Sequence, residues 1–544
     1  MRSKSLRIPT RILSVDGAPG RFLKELPPDE ILQRKTPMGW HSTRALLTTD
    51  QIEELSRLGS VFHLDRQPEF ILHGERANQS VAGNLIPSGS APFGPGYPEW
   101  LLANGLTGGE GMMVQVQDDG LDQGIATNQP GTVHPDLLGR VAGILNVTSD
   151  PLGDSRDGHG QINAGILIGN AATGMKDSAG YLLGQGMVPK ARVYATKIFQ
   201  NGGRFDIGRR TLPDLAIPAQ NEGATFSSNS WGAVVAGLYL EESAEFDYLT
   251  RDADPIEPGN QPMVYFFSAG NEGPEVQSIG SPGSAKNVIT VGAGENTDGD
   301  GTDGCGVSPL GADDIRDVIG FSSRGPLADG RMGPTLYTVG THVQGPASTH
   351  ADYNGSGVCD RYWPPDQTLY SRSSGTSHST PVACGAGMLV AEFFNRVLSN
   401  LEETSHRPNP SPALIKAVLA NTATDNSGNE DGRGGALGAI PNSDQGWGAL
   451  NLNRFFSMKE KLYSRDQVDL FTDSGQSWET PITVLDPNLP LKITLAWSDA
   501  PGAPNAGKAL VNDLDLSLFG QEGSFFGNRF ESGFSTLGGE RDRL

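Results

Sequence analysis

An α/β fold with a mostly parallel central sheet is the architecture this sequence predicts, and three observations predict it. Between residues 110 and 460, short apolar runs (MMVQV, ARVYATKIF, TFSSNSW, PMVYFFSAG, NVITVGAG) alternate with helical stretches (INAGILIGNAA, PVACGAGMLVAEFFNRVLSNL, PALIKAVLANTA). Strands alternating with helices imply βαβ units and parallel pairing. Glycine and proline number 72 and 37 of 544, roughly 13% and 7% against averages of about 7% and 5%. Such a chain turns often and tightly. Finally, the periodicity changes at both ends, so the central region is flanked by smaller units.

Residues 1–75 are more charged than the rest and read as a small α+β unit. DQIEELSRL (50–58) predicts a helix capped by Asp50 with Glu53 three residues on, between strand-like RALL and SVFHL. Residues from about 74 to 98 are rich in Gly, Pro, Ser and Asn and read as an exposed linker; 76–109 is assigned as linker and mature N-terminal region. The main domain follows over 110–460. Residues 461–544 hold strand-like QVDLF, PITVL, LKITLAW and LDLSLF without a long helix, which predicts an all-β domain.

Composition excludes several classes. Asp and Glu exceed Lys and Arg by 63 to 41, a net charge of −22, and no basic stripe offsets it, which argues against a nucleic-acid partner. No apolar run reaches the ~18 residues of a membrane span. The start, MRSKSLRIPTRILSVDG, is basic but lacks the apolar run of a secretory leader. The three cysteines form no metal-binding pair. Cys305 and Cys359 lie in loop-like sequence and could bridge in an oxidising compartment, whereas Cys384 sits in an apolar helical run as a buried thiol.

Three motifs share one chemical logic. VQVQDDGLD places Asp118 at a strand end, DGHGQINAGIL places His159 at a helix start, and SSGTSHSTPVACGAG places Ser377 at a second helix start, with Pro381 in its first turn. Loops at the carboxyl ends of parallel strands can bring such residues over one face of the sheet. There Ser377 can act as nucleophile, His159 as its base, and Asp118 can orient the imidazole. Free amides at the Ser377 helix start can help hold an oxyanion. A fourth motif, VYFFSAGNEG, puts the Asn271 amide past a strand end, where it can donate to the same oxyanion.

In this order the motifs resemble those of the subtilisin-like serine proteases, the subtilases (peptidase family S8). Asp118-Asp119-Gly120 is similar to Asp-Thr/Ser-Gly. Residues 159–165 (HGQINAG) resemble His-Gly-Thr-His-Val-Ala-Gly, and residues 375–381 (GTSHSTP) resemble Gly-Thr-Ser-Met-Ala-Ala/Thr-Pro. SAGN at 268–271 and FSSRGP at 321–326 match two further landmarks. The chain order Asp, His, Ser is the subtilisin order. The resemblance implies a subtilisin-like three-layer fold behind a propeptide (1–75) that inhibits its own enzyme. After the main domain it implies a β-sandwich or barrel, here truncated, of one alkaline subtilase group.

The resemblance also implies a monomeric, secreted endopeptidase acting on proteins or peptides, with no cofactor for the chemistry and possible structural calcium. Ser230, Trp231 and Gly232 are then the strand that pairs with substrate backbone. Gly280 is the floor of a pocket open to bulky apolar residues before the cut.

Departures from the family pattern are specific. Asp119 adds a carboxylate beside Asp118. Ile162 replaces a histidine. His378 replaces the methionine whose sulfoxide formation inactivates other members, which predicts resistance to peroxide by that route. The acidic run at 298–303 resembles a calcium loop but has Asp303 where an EF-hand requires glycine, so its ligands are left open. Asp499, Asp513 and Asp515 are equally open.

Overall fold

In the computed structural model, the described residues are 8–14, 23, 31–35, 41–66, 76–396, 409–467, 470–484, 486–521 and 523–537. They divide into two compact units, residues 1–71 and 72–544. The first contains β1 (Ile8–Ser14), β2 (Ile31–Lys35), β3 (His41–Leu47), α1 (Thr49–Ser56) and β4 (Val61–Arg66). Its antiparallel sheet runs β2-β3-β1-β4. Ile12, Leu23, Ala45, Leu47 and Leu55 form its core. The helix is capped differently from the expectation. Thr48, one residue before α1, accepts from the Gln51 amide, and the Gln51 side chain bonds back to the Thr48 amide. Asp50 is therefore inside the first turn, where its charge suits the helix dipole.

The second unit opens with α2 (Arg76–Val81) and α3 (Tyr97–Ala103). This corrects the reading of 74–98 as exposed linker: all of residues 77–81 are buried, and Ala77, Val81, Tyr97 and Leu101 join the main core. A Gly/Pro-rich composition indicates turns, but it does not say which side of them faces water. Residues 67–75 lie outside the described residues.

Then follow β5 (Met113–Asp118), β6 (Val141–Asn146), α4 (His159–Ile168), β7 (Arg192–Lys197), α5 (Leu212–Asn221), β8 (Phe226–Asn229), α6 (Glu241–Arg251), β9 (Val264–Ser268), β10 (Ile289–Gly294) and β11 (Leu336–Val339). After these come β12 (Val343–Pro346), β13 (Arg361–Tyr362), β14 (Tyr370–Ser373), α7 (Thr376–Arg396), α8 (Pro412–Thr422) and α9 (Leu452–Met458). Seven strands form one sheet in the order β11-β10-β9-β8-β5-β7-β6. Every pairing in it is parallel. Side chains alternate between its faces, as a pleat requires. Val114, Val116 and Phe266 pack on one face with α4 and α7. Met113, Tyr265 and Phe267 pack on the other with α5 and α6. The layers are thus helix, sheet, helix. The strand order reverses beside β5, so Asp118 at its carboxyl end lies where such sheets place their sites.

The end of the chain carries antiparallel β-structure, as expected, but not in every segment expected to be a strand. Strands β15 (Ser517–Gly520), β16 (Gly523–Glu531) and β17 (Phe534–Leu537) form one antiparallel sheet. The described parts of QVDLF, PITVL and LKITLAW are not strands. Alternating side chains favour a strand only where another backbone lies alongside to take its hydrogen bonds. Here the 491–502 region is held by side chains of the main domain instead. Asn421 donates to the Lys492 carbonyl (3.1 Å), and Asn287 exchanges two bonds with the Asp499 backbone (2.8 Å each). Asp499 also meets Lys286 Nζ at 2.9 Å and accepts from the Val511 and Asn512 amides. The carboxylate left open by sequence is therefore a buried anchor of this segment.

Candidate active site

The Asp118 carboxylate ends β5, and His159 is the first residue of α4. His159 Nδ1 lies 2.7 Å from Asp118 Oδ1, which also accepts from the Asp119 amide at 2.8 Å. The close approach of these elements demands glycine. A Cβ on Gly160 would lie 2.4 Å from the Gly120 carbonyl oxygen and 2.7 Å from Asp119 Oδ1. Any side chain there would push the imidazole off Asp118.

Ser377 is the second residue of α7, so Pro381 falls in the second turn, not the first. The proline has no N–H to give the Ser377 carbonyl four residues back. Ser230 Oγ donates to that carbonyl instead, at 2.6 Å. In this resting geometry the Ser377 hydroxyl donates to the Ser230 carbonyl (3.3 Å). Bonds between a nucleophile and its base commonly tighten only with substrate present.

Asn271 Oδ1 accepts from both the amide and the hydroxyl of Thr376, each at 2.9 Å. With its oxygen so held, its Nδ2 is left for another acceptor beside the Ser377 turn. Amides in the first turn of α7 have no intrahelical acceptor. Negative charge developing next to Ser377 would meet donors from both sources.

The predicted substrate strand divides its roles. Ala233 and Ser281 exchange backbone bonds of 2.7 and 3.1 Å, so the end of this segment is pinned against the 280–281 backbone. Gly280 lies in that close contact, where a Cβ would be 2.7 Å from the Ala233 oxygen. The Trp231 ring packs among Phe199, Phe205, Phe246 and Phe267. It is an anchor for its segment, which leaves the backbone as the part able to meet a substrate.

Asp119 is buried. Its Oδ1 accepts from the Gly160 amide (2.6 Å) and Ser155 Oγ (2.7 Å), while Oδ2 is without a hydrogen-bond partner. Burial, and then the charge of Asp118, push it up to about 7. For His159, burial opposes the charged form, but Asp118 foremost, with Asp119 and Asp360, overcomes it and raises the imidazole to about 9. A general base must be neutral. The expected result is a kcat/KM that rises with pH and levels off only near pH 9. Asp119→Asn removes one negative charge, so His159 should lose its proton more easily. The acid limb should then move down by roughly half to one pH unit. A pH–rate profile of both proteins checks this, and an unmoved limb would refute it.

Sequence reasoning missed several neighbours. Asn163, four residues after His159 and on the same helical face, donates to Asp118 Oδ2 (3.1 Å). Thr376 orients Asn271. Both lie inside the motifs, but their partners are distant in sequence. Ile162 packs in the core. Cys305 and Cys359 are bridged across 54 residues, and Cys384 is buried and free.

The acidic run at 298–303 does not gather its carboxylates. Asp298 pairs with Arg372 (3.5 Å), Asp300 accepts from Ser178 (2.6 Å), and Asp303 accepts from the Val307 amide (2.9 Å) and Ser374 Oγ (2.5 Å). Those internal donors do not fit a calcium loop. Among the described residues, carboxylates that do converge belong to Glu295, Asp313 and Asp317, with oxygens within 4.8 Å of one another. No described helix is long and apolar enough to cross a membrane.

Similarity to known proteins gives the family. The subtilase family profile matches residues 109–448. Serine protease AprX of Bacillus subtilis is 28% identical over 354 residues, covering 62% of this chain and 67% of AprX. A subtilisin from a Bacillus strain is 27% identical over 294 residues, covering 53% of this chain and 58% of the subtilisin. The solved prenylagaramide maturation protease PagA aligns with a TM-score of 0.42 and 18% identity over 66% of this chain and 96% of its own. The family match spans well over half of the chain and includes every motif residue described above: the chain belongs to the subtilase family of serine proteases.

Proposed function

We propose that this chain is an endopeptidase in which Ser377 attacks the peptide carbonyl and forms an acyl-enzyme. His159 takes the serine proton and then gives it to the leaving amine. Asp118 holds the imidazole with its Nε2 free to accept, and Asn271 with the Ser377 amide stabilises the oxyanion. The observation that carries this is the 2.7 Å contact of His159 Nδ1 with Asp118 Oδ1, next to a serine at the start of α7.

Residues 230–232 pair with the substrate backbone, so recognition is broad, and the pocket at Gly280 favours bulky apolar side chains before the cut. Residues 1–75 act as the chain's own inhibitor, a role supported by the compact unit that residues 1–71 form. The Cys305–Cys359 bridge supports an oxidising, extracellular workplace.

The test is labelling with a fluorophosphonate probe after residues 1–75 are removed. Labelling at Ser377 that disappears in Ser377→Ala and falls sharply in His159→Ala is the expected outcome. A folded protein that takes no label would instead be a binding module built on the same fold.

A further inference from the structure

Between the helix that carries His159 and the helix that carries Ser377 lies a buried polar pair. Asn163 is fully buried on α4, and His378, 2% exposed, follows Ser377 on α7. His378 Nδ1 is 2.9 Å from Asn163 Oδ1. Asn163 Nδ2 is 3.1 Å from Asp118 Oδ2 and 3.3 Å from His159 Nδ1. An amide and an imidazole placed in a core cost stability unless each finds partners. Their presence here therefore asks for a reason beyond packing.

Donor and acceptor chemistry allows one consistent assignment. Asp118 Oδ2 is an acceptor, so the amide must face it with Nδ2 and turn Oδ1 to His378. Oδ1 only accepts, so His378 must carry its proton on Nδ1. Burial, and then the nearby charge of His159, hold His378 neutral, well below its usual range. A neutral ring keeps that single N–H available across the working pH.

Resting on the triad reading above, we infer that Asn163 and His378 are positioning residues: His378 locks the Asn163 amide so that it donates to Asp118 Oδ2. Among the described residues Asn163 is the side chain that donates to that oxygen. The bond fixes the carboxylate plane, so that Oδ1 stays on His159. The positive end of the amide dipole also sits beside His159 Nδ1, where it disfavours the imidazolium. The groups facing His159 are Asp118 and Asp119 at the end of β5, His378 on α7, and Asp360 in the loop after Cys359. The three carboxylates raise its proton affinity, and the locked amide lowers it.

The test compares Asn163→Leu, His378→Phe and His378→Asn with the parent enzyme in kcat, KM and pH profile. Loss of the amide, or of its lock, should lower kcat about tenfold at constant KM. It should also move the acid limb up by roughly half a pH unit. His378→Asn should restore both, because its Nδ2 donates from nearly the place of imidazole Nδ1. If Asn163→Leu does not fold, the His378 pair alone decides, since a merely structural site would not separate the two substitutions in pH profile. Equal kcat and equal acid limbs in His378→Phe and His378→Asn would overturn the inference. In that case the parent enzyme still labels at Ser377, whereas failure of the triad reading would show as no labelling of the parent.

Discussion

Asp118→Asn is expected to lose about 10⁴-fold in kcat with little change in KM. The surroundings leave an amide no good orientation. With its oxygen toward His159 and the Asp119 amide, both of which bond Asp118 Oδ1, its NH₂ would face the Asn163 Nδ2 donor. Turned the other way, its NH₂ would face His159 Nδ1 and drive the imidazole proton to Nε2. That tautomer cannot accept from Ser377. Measured above about pH 9, where His159 is neutral at rest, the loss should appear in kcat because the carboxylate stabilises the imidazolium that then forms as the serine attacks. Steady-state kinetics on a peptide substrate, with thermal unfolding as a control, measures it. A folded variant within tenfold of the parent would remove Asp118 from the triad.

Asn271→Leu is expected to cost about 10²–10³ in kcat, again at nearly constant KM. The side chain is pre-aimed: both Thr376 donors hold Oδ1, so Nδ2 needs no reorientation when the oxyanion forms. Leucine keeps much of the volume and removes the donor. Thr376→Val should cost less, because the Thr376 amide still holds the carbonyl. The double variant should be no worse than Asn271→Leu alone, since the two residues act through one hydrogen bond to the oxyanion. A rise in KM with unchanged kcat would show instead that Asn271 binds the ground state.

Much of the fold and site was legible in the sequence for local reasons. Runs such as NVITVGAG are mostly apolar because a parallel strand is covered on both faces, and β10 is buried along its whole length. Asp118, His159 and Ser377 could be placed because each sits at a strand end or helix start that its own neighbours define. Two local readings went astray where composition stood in for geometry. The start of the Gly- and Pro-rich stretch before residue 98 became a buried helix at 76–81, because its apolar residues had a core to join, while 83–96 stayed turns. The described residues of the alternating patterns at 481–497 are not strands; among the described residues no strand pairs with them.

By itself, then, the sequence determined which chemical groups stand at the ends of which elements, since strand and helix boundaries follow from residues within a turn or two. Only the tertiary structure decided which way those groups point. Asn163 meets His378 across 215 residues, and Asn271 meets Thr376 across 105. The Asp298 carboxylate finds Arg372 rather than a shared ion site. Hydrogen bonding has to be satisfied wherever burial brings groups together, and the partner is whatever the packing of two distant elements places within about 3 Å. No local pattern encodes that distance.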